Sequence, residues 1–387
     1  MSYKEIFMRV WVLGRGVPTK RNNLLGSFEF EQAQMLKRAG HEVYYFGMNI
    51  RSARDWDRFG YRYESVEGLE TASFSFPLNK IMSASRAHRS LKKAFLKTAD
   101  KMSARFGAPD IIHIHYPAMW PYSAFETFQK NGVGIVATEH WTQVQDKSIS
   151  DAYVSNIKDF AAKSDALLCV GSYLVTAIRE LTGTDREILV VPNVANKLFR
   201  PVDNKHDGFR FFTAGRFVPV KQFDKTVAAF CKVFKDIPDV TLTVAGSGEE
   251  AENIKNQVSA DMADRVVFTG TVSREKMAEL TADSDVMITY SRLETFCVPV
   301  IEAWSCGIPA IAASSSPVMV DYPDERLGIE VDCDKTETLE EALKCIYEGY
   351  DKYDSKWISG FAAEHFSEKA VSKQLTDIYQ QVMRINK

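Results

Sequence analysis

The sequence predicts two α/β domains in tandem, each built on a doubly wound parallel sheet. Three observations carry that expectation. Short β-branched apolar runs alternate with segments of helical spacing, the pattern of strands joined by crossover helices. The alternation comes in two series, separated by a stretch rich in proline, asparagine and charge at Val190–Asp207. The chain has 387 residues, and an ordinary domain takes roughly 100–200.

Met8–Leu13 reads as the first strand. The spacing of Phe28, Ala33 and Leu36 predicts a helix over Phe28–Arg38. Gly40 ends it, because glycine tolerates the left-handed conformation common at helix termini. Strands follow at Glu42–Phe46, Asp110–His115, Gly134–Thr138 and Ala166–Val170. Pro192 and Pro201 then break the pattern. The second series has strands at Phe209–Ala214, Val240–Ala245, Val266–Thr269, Val286–Tyr290, Ala310–Ala313 and Gly328–Val331. Its helices include Gln222–Phe234 and Arg274–Ala282. Val371, Leu375, Ile378, Val382 and Ile385 make one apolar stripe on a final helix, Ala370–Asn386. The expected domains are residues 1–190 and 191–369, with the final helix (about 370–387) packing back on the first.

Apolar residues make up 45% of the chain and charged residues 26%, an ordinary globular mix that excludes a disordered or collagen-like protein. No apolar run reaches the length of a membrane span, and the N-terminus lacks a signal-peptide pattern. A cytoplasmic location is the expectation, including the inner membrane face. The six cysteines form no C-x-x-C pair and are expected to be reduced thiols. Residues 1–190 carry 25 Lys and Arg against 20 Asp and Glu, whereas residues 191–387 carry 23 against 31. A basic first half suits an acidic partner, although an offset of this size also arises by chance.

The chemistry concentrates where strands end. In VMITYSRLETFCVPVIEAWSCGIPAIA (residues 286–312) a strand stops near Tyr290, a loop presents Glu294, and a helix opens near Val298 with Pro299 in its first turn. Glu302 lies about one turn inside that helix. The amides of Phe296, Cys297 and Val298 suit a pyrophosphate at the helix N-terminus. The flanking carboxylates would repel phosphate, so they are expected to face neutral sugar hydroxyls. In FFTAGRFVPVKQFD, Arg216 and Lys221 stand at another strand's exit, and two fixed cations there fit a diphosphate, although the pair alone is also ordinary surface charge. In DIIHIHYPAMW, His113 and His115 share one strand face. Core hydrogen bonding explains such a pair as well, and no third ligand makes it a metal site. Thr138-Glu139-His140-Trp141 follows the next strand. Gly14-Arg15-Gly16 is an incomplete dinucleotide fingerprint with no acidic residue closing the second strand, which disfavours a nicotinamide enzyme. The triplets Asp55-Trp56-Asp57 and Asp332-Cys333-Asp334 are read as ordinary acidic surface, since neither directly follows a strand end in a phosphate-binding context.

Taken together, GSFEFEQAQMLKRAGHEV, HIHY, TEHW, VVPNVANKLFRP, AGRFVPVKQFD, VVFTGTV and ETFCVPVIEAWSCGIPAIA resemble the retaining nucleotide-sugar glycosyltransferases of family 4. The resemblance covers nearly the whole chain. It implies the GT-B fold, two Rossmann-like domains facing across a cleft. Asn22 or Asn23 ahead of Gly26-Ser27-Phe28 resembles members that build bacterial surface polysaccharides. By this resemblance Arg216 and Lys221 hold the donor diphosphate, Glu294 binds donor-sugar hydroxyls and Glu302 binds the ribose. Phe296, Cys297 and Val298 offer amides to phosphate or sugar. The loop Gly270–Val272 passes the base, His115 contacts the donor sugar, and Gly26 lets the first-domain loop approach the diphosphate and acceptor. Cys297 replaces the family's usual glycine, Val194 stands in its Pro-Asn-Gly, and Ser315 and Ser316 replace paired glycines. These departures bear on donor choice.

The implied reaction is sugar transfer from a nucleotide sugar, by default a UDP-sugar, to a hydroxyl of a glycan or lipid-linked acceptor. Neither cofactor nor metal is expected. Residues 86–106 form an amphipathic pattern, with Leu91, Phe95, Met102 and Phe106 opposite Arg89, Lys93, Lys97, Lys101 and Arg105. Such a helix either packs in the core with a solvated basic face or lies on an anionic membrane. Nucleic acid is not an expected partner. Two other readings stay open: a sugar-nucleotide epimerase on the same fold, and a catalytically silent nucleotide-binding subunit.

Overall fold

Val10, Trp11, Val12 and Leu13 are wholly buried, as a strand covered on both faces must be. They belong to β1 (Arg9–Gly14), the centre of the first of two sheets in a computed structural model. The structure describes residues 7–18, 26–51, 60–77, 84–202 and 206–385. Asn22, Asn23 and the triplet Asp55-Trp56-Asp57 lie outside them. The chain divides into two compact units, Met1–Val191 with Ser372–Lys387, and Pro192–Val371.

The first unit adds β2 (Glu42–Arg51), β3 (Gly60–Val66), β4 (Leu69–Pro77), β5 (Ile111–His115), β6 (Gly134–Glu139), β7 (Ala166–Cys169) and β8 (Leu189–Val190). Their order is β3-β4-β2-β1-β5-β6-β7-β8. One expectation needs correcting: the sheet is not wholly parallel, because β3 runs antiparallel to β4. Glu67 and Gly68 join them with φ of +47° and +77°, the two-residue turn whose twist suits a hairpin. β3 is solvated on most of its length, so it has no apolar face to betray it.

The basic helix Ala84–Phe106 buries Leu91, Phe95 and Met102 and exposes Arg89, Lys93, Lys97, Lys101 and Arg105. Phe95 meets Phe125 at 5.1 Å and Trp120 at 5.9 Å between ring centres. The apolar stripe is therefore committed to the core. Outside, the ammonium of Lys97 lies 4.7 Å from the Tyr61 ring and that of Lys101 5.3 Å from the Tyr63 ring, so β3 backs the helix's charged side. No described helix is long and apolar enough to cross a membrane.

The final helix, Glu368–Ile385, buries Leu375, Tyr379 and Val382 in the first unit. Thr376 Oγ1 is 2.8 Å from His41 Nε2, and Tyr379 OH is 2.6 Å from His113 Nδ1. Gly134 lets the helix close in, since a Cβ there would stand 2.5 Å from Val382 Cγ1.

The second unit holds β9 (Phe209–Arg216), β10 (Val240–Ser247), β11 (Val266–Gly270), β12 (Val286–Thr289), β13 (Ala310–Ala313) and β14 (Gly328–Val331). All neighbours pair in parallel, in the order β11-β10-β9-β12-β13-β14. In each sheet the chain first builds outward on one side and then crosses to the other. The crossing falls between β1 and β5 in the first unit and between β9 and β12 in the second. Ligands of doubly wound sheets bind outside the strand ends at such a switch point.

Candidate active site

In the second unit the switch point gathers most of the residues singled out from the sequence. β9 ends on Arg216, which is exposed and makes no ion pair among the described residues. A short 3-10 turn, Pro219–Lys221, then carries Lys221 back over the sheet, and its Nζ lies 2.5 Å from Glu294 Oε1. The two side chains expected to hold different parts of a ligand thus hold each other. Their loops are locked together, because Arg292 N–H donates to the Val220 carbonyl at 2.8 Å. Gln222, buried with φ +49°, donates from Nε2 to the carbonyls of Tyr290 and Cys333 at 3.1 and 3.0 Å. A left-handed, non-glycine residue is uncommon, and here it turns the chain so that one amide clamps three loops. Nothing in the sequence pattern marked Gln222 out.

The helix beyond β12 runs Val298–Ser305, with Pro299 in its first turn. The N–H groups of Phe296, Cys297 and Val298 make no hydrogen bond within the described residues. A helix N-terminus with free amides carries partial positive charge and attracts anions. Cys297 caps it at φ +80°, a conformation that suits the glycine usual in the family. Its thiol is buried, 3.5 Å from Thr289 Oγ1, and burial pushes its pKa up to about 12. Glu302 is half-buried and 3.8 Å from Arg274, at the start of the helix after β11. Arg274 was not anticipated. Its only sequence signal is its place five residues after Thr269, at a helix start. Gly270 ends β11 at φ +67°, exposed, and Val272 is half-buried just beyond it.

Asp332-Cys333-Asp334 follows β14 directly. Its three ligand atoms lie within 4.8 Å of one another. Both carboxylates already face cations, Asp332 with Lys335 at 2.9 Å and Asp334 with Arg292 at 3.0 Å.

The switch point of the first unit holds a stack of rings. His113 and His115 lie 4.5 Å apart and nearly parallel, His115 and His140 are 5.0 Å apart, and His140 and Tyr116 another 5.0 Å. The Arg15 guanidinium covers Tyr116 at 3.7 Å and reaches Glu29 through Nε at 3.1 Å. His113 is satisfied at both nitrogens, by Tyr379 and by Thr138 Oγ1 at 2.7 Å, which is the core role its spacing allowed. His115 is different. Nδ1 is 2.8 Å from His140 Nε2, while Nε2 is buried and has no partner. Burial lowers the pKa of His113 and of His140 to about 3, and in His140 the Arg15 charge adds to the effect. His115 is lowered well below the usual range by burial, then by its neighbours His113, His140 and Arg15. All three rings are neutral at physiological pH.

Glu139 is fully buried and accepts from the amides of His140 and Trp141 at 2.9 Å each. Burial raises its pKa to about 7 against those hydrogen bonds. Gly26, at φ +75°, uses its missing side chain inside the protein, because a Cβ would stand 2.2 Å from the Gly16 carbonyl oxygen. Arg15 and His140 were visible in the sequence only as neighbours of strand ends, and Glu29 only as an acidic residue in the first turn of the helix Ser27–Arg38.

Comparison with known proteins decides the family. The model "Glycosyltransferase Family 4" matches residues 29–196, and "Glycosyl transferases group 1" matches residues 195–360. The chain is a family 4 glycosyltransferase of GT-B fold. This glycosyltransferase is 25% identical to the N-acetyl-alpha-D-glucosaminyl L-malate synthase of Bacillus anthracis, over 92% of this chain and 93% of that protein. It is 30% identical to a D-inositol 3-phosphate glycosyltransferase of Mycobacteroides abscessus over 33% of this chain and 30% of that protein. Among solved structures, the glycosyltransferase shares its fold with sucrose-phosphate synthase of Thermosynechococcus elongatus, with a TM-score of 0.74 at 20% identity, covering 97% of this chain and 99% of that one. It also matches Anabaena HepE in complex with UDP and glucose, with a TM-score of 0.68 at 15% identity, covering 97% and 100%.

Proposed function

We propose that this glycosyltransferase moves a sugar, with retention of configuration, from a UDP-sugar to a hydroxyl of a glycan or lipid-linked acceptor in polysaccharide assembly, and that it needs no metal. The observation that carries the reading is the second unit's switch point. There two cations and a run of free amides surround a carboxylate at the carboxyl end of the sheet. A nucleoside diphosphate fits that set. Its phosphates take the amides at Val298 and the charges of Arg216 and Lys221, while Glu294 and Glu302 accept from sugar and ribose hydroxyls. Uridine is supported by the fold relationship to Anabaena HepE, which binds UDP. The relatives' names span L-malate and inositol 3-phosphate. The acceptor is therefore read from this chain's own basic first half, which suits a substrate held at an anionic surface.

In the reaction the bond from the anomeric carbon to the β-phosphate oxygen breaks, and a bond to the acceptor oxygen forms on the same face. The acceptor's proton passes to the departing phosphate oxygen. Arg216, Lys221 and the amides are already in place to stabilise the negative charge that develops there. That fixed positive potential is the ground for a metal-free transfer. His115 donates a hydrogen bond to an oxygen of the donor sugar.

Thermal shift against UDP, GDP, ADP and CDP, with magnesium or with chelator, tests the reading. UDP alone should raise the melting temperature, equally in both media, because a ligand bound only to the native state stabilises it. Lys221→Ala should lower transfer by about 100-fold or more, the usual cost of one preorganised charge-stabilising group, and Glu294→Ala should abolish most transfer by releasing the donor sugar from its orientation. Full turnover in either variant overturns the site, and no shift with any nucleotide favours a silent subunit.

A further inference from the structure

The first unit leaves one buried nitrogen at its switch point unexplained. His115 Nε2 is buried without a partner, and the same ring's Nδ1 touches His140 Nε2 at 2.8 Å. A neutral imidazole has one N–H, so in this contact one ring donates and the other accepts. If His115 donated, its Nε2 would be a bare lone pair. If His140 donates, His115 carries its proton on Nε2. A lone pair repels the oxygens of a donor sugar and its departing phosphate, whereas an N–H stabilises them. We propose that His140 is a positioning residue. It donates from Nε2 to His115 Nδ1 and so holds His115 as a neutral hydrogen-bond donor through Nε2. The inference rests on the reading that His115 meets the donor sugar.

The surroundings suit that role. A buried N–H without a partner is destabilising, and an arriving oxygen relieves that cost. The His113 ring stacks on His115 and is itself pinned at both nitrogens, so His115 cannot turn towards it. On the far side Tyr116, carrying Arg15, lies against His140. The charged and titratable groups around the two rings are Arg15, with Glu29 behind it, and Glu139, with His113, Tyr116 and Tyr379 completing the shell. The Arg15 charge opposes protonation of both histidines. The pair therefore shares one hydrogen bond, each ring keeps its single proton, and neither takes up another from solvent. Such an outer partner is worth about 10–100-fold when it orients a functional histidine.

Nitrogen-15 NMR of the full-length, histidine-labelled protein reads the tautomer directly. His115 should carry its proton on Nε2, unchanged from pH 8 to pH 5.5. Finding the proton on Nδ1 overturns the proposal, with no variant needed. His140→Phe should redistribute the His115 proton and lower kcat about 10–100-fold at nearly constant donor KM. His140→Gln, whose amide can still donate, should recover most of it. A His140→Phe enzyme with native kcat and a switched tautomer refutes the positioning role. If His115→Ala is fully active while the tautomer is as stated, the failure lies in the reading of His115, not in the His140 contact.

Discussion

His113 has no exposed surface, and its two nitrogens are taken by Tyr379 and Thr138. Its pKa falls to about 3 through burial, against about 6.5 in an unfolded chain. Above pH 6.5 both states are neutral and the residue contributes no pH dependence. Below it the unfolded chain gains a proton that the native state refuses, so stability falls as pH falls. At pH 5 the loss is about 2 kcal/mol from this one ring. Urea midpoints at pH 7.5 and pH 5 should show it, and His113→Asn should flatten the slope by about one proton. An unchanged slope would mean that the imidazole is protonated in the native state. Cys297 shows another residue-level compromise. It holds a left-handed cap that a glycine would occupy without strain, and its buried thiol lies beside Thr289 just behind the amides of the candidate site.

Elements were legible where one face of a segment is apolar and its period is clear. β13 and β14 coincide with their expected residues, as does the helix Arg274–Ala282; β13 was legible as a short apolar run, and it is buried along its whole length. β3 and β4 were not read, although Glu67-Gly68 between alternating aromatic and polar residues is a hairpin signal. β3 carries no buried face, and an edge strand needs none. At the site, the strand-end rule located Arg216, Lys221, Glu294 and Glu302. It could not pair Lys221 with Glu294, nor find Gln222, because those contacts join loops remote in sequence. The basic helix was ambiguous for a physical reason: one stripe serves a core or a membrane equally. With Leu91, Phe95 and Met102 buried, only charge is left to meet a bilayer. Binding to anionic vesicles should therefore be purely electrostatic, weakening steeply between low and physiological salt. Each lysine near such a surface contributes about 1 kcal/mol, so Lys93→Ala with Lys97→Ala should weaken binding about 30-fold. Co-sedimentation with phosphatidylglycerol vesicles measures this, and neutral vesicles should bind nothing. Salt-independent binding would sink the electrostatic account.

At the scale of the whole chain, the two units differ in how they are completed. The second unit, Pro192–Val371, is one continuous stretch, whereas the first needs Ser372–Lys387 returned to it from the far end of the sequence. That return supplies Leu375, Tyr379 and Val382 to the first core and hydrogen-bond partners to His41 and His113. Burying a large apolar side chain stabilises by about 1.5–3 kcal/mol, and orphaning a buried polar group costs about 1–3 kcal/mol. Domains have only about 5–15 kcal/mol to lose. A chain stopped after Val371 should therefore keep hydrogen-exchange protection in β9–β14 while losing it across β1, β5 and β6. Mass-spectrometric exchange on both chains resolves the two sets of peptides. UDP should still protect the second unit's peptides around Lys221 and Val298, since nothing that shapes them has been removed. Equal protection of β1, β5 and β6 in both chains would show the final helix to be an accessory, and would leave the His113–Tyr379 contact without a structural role.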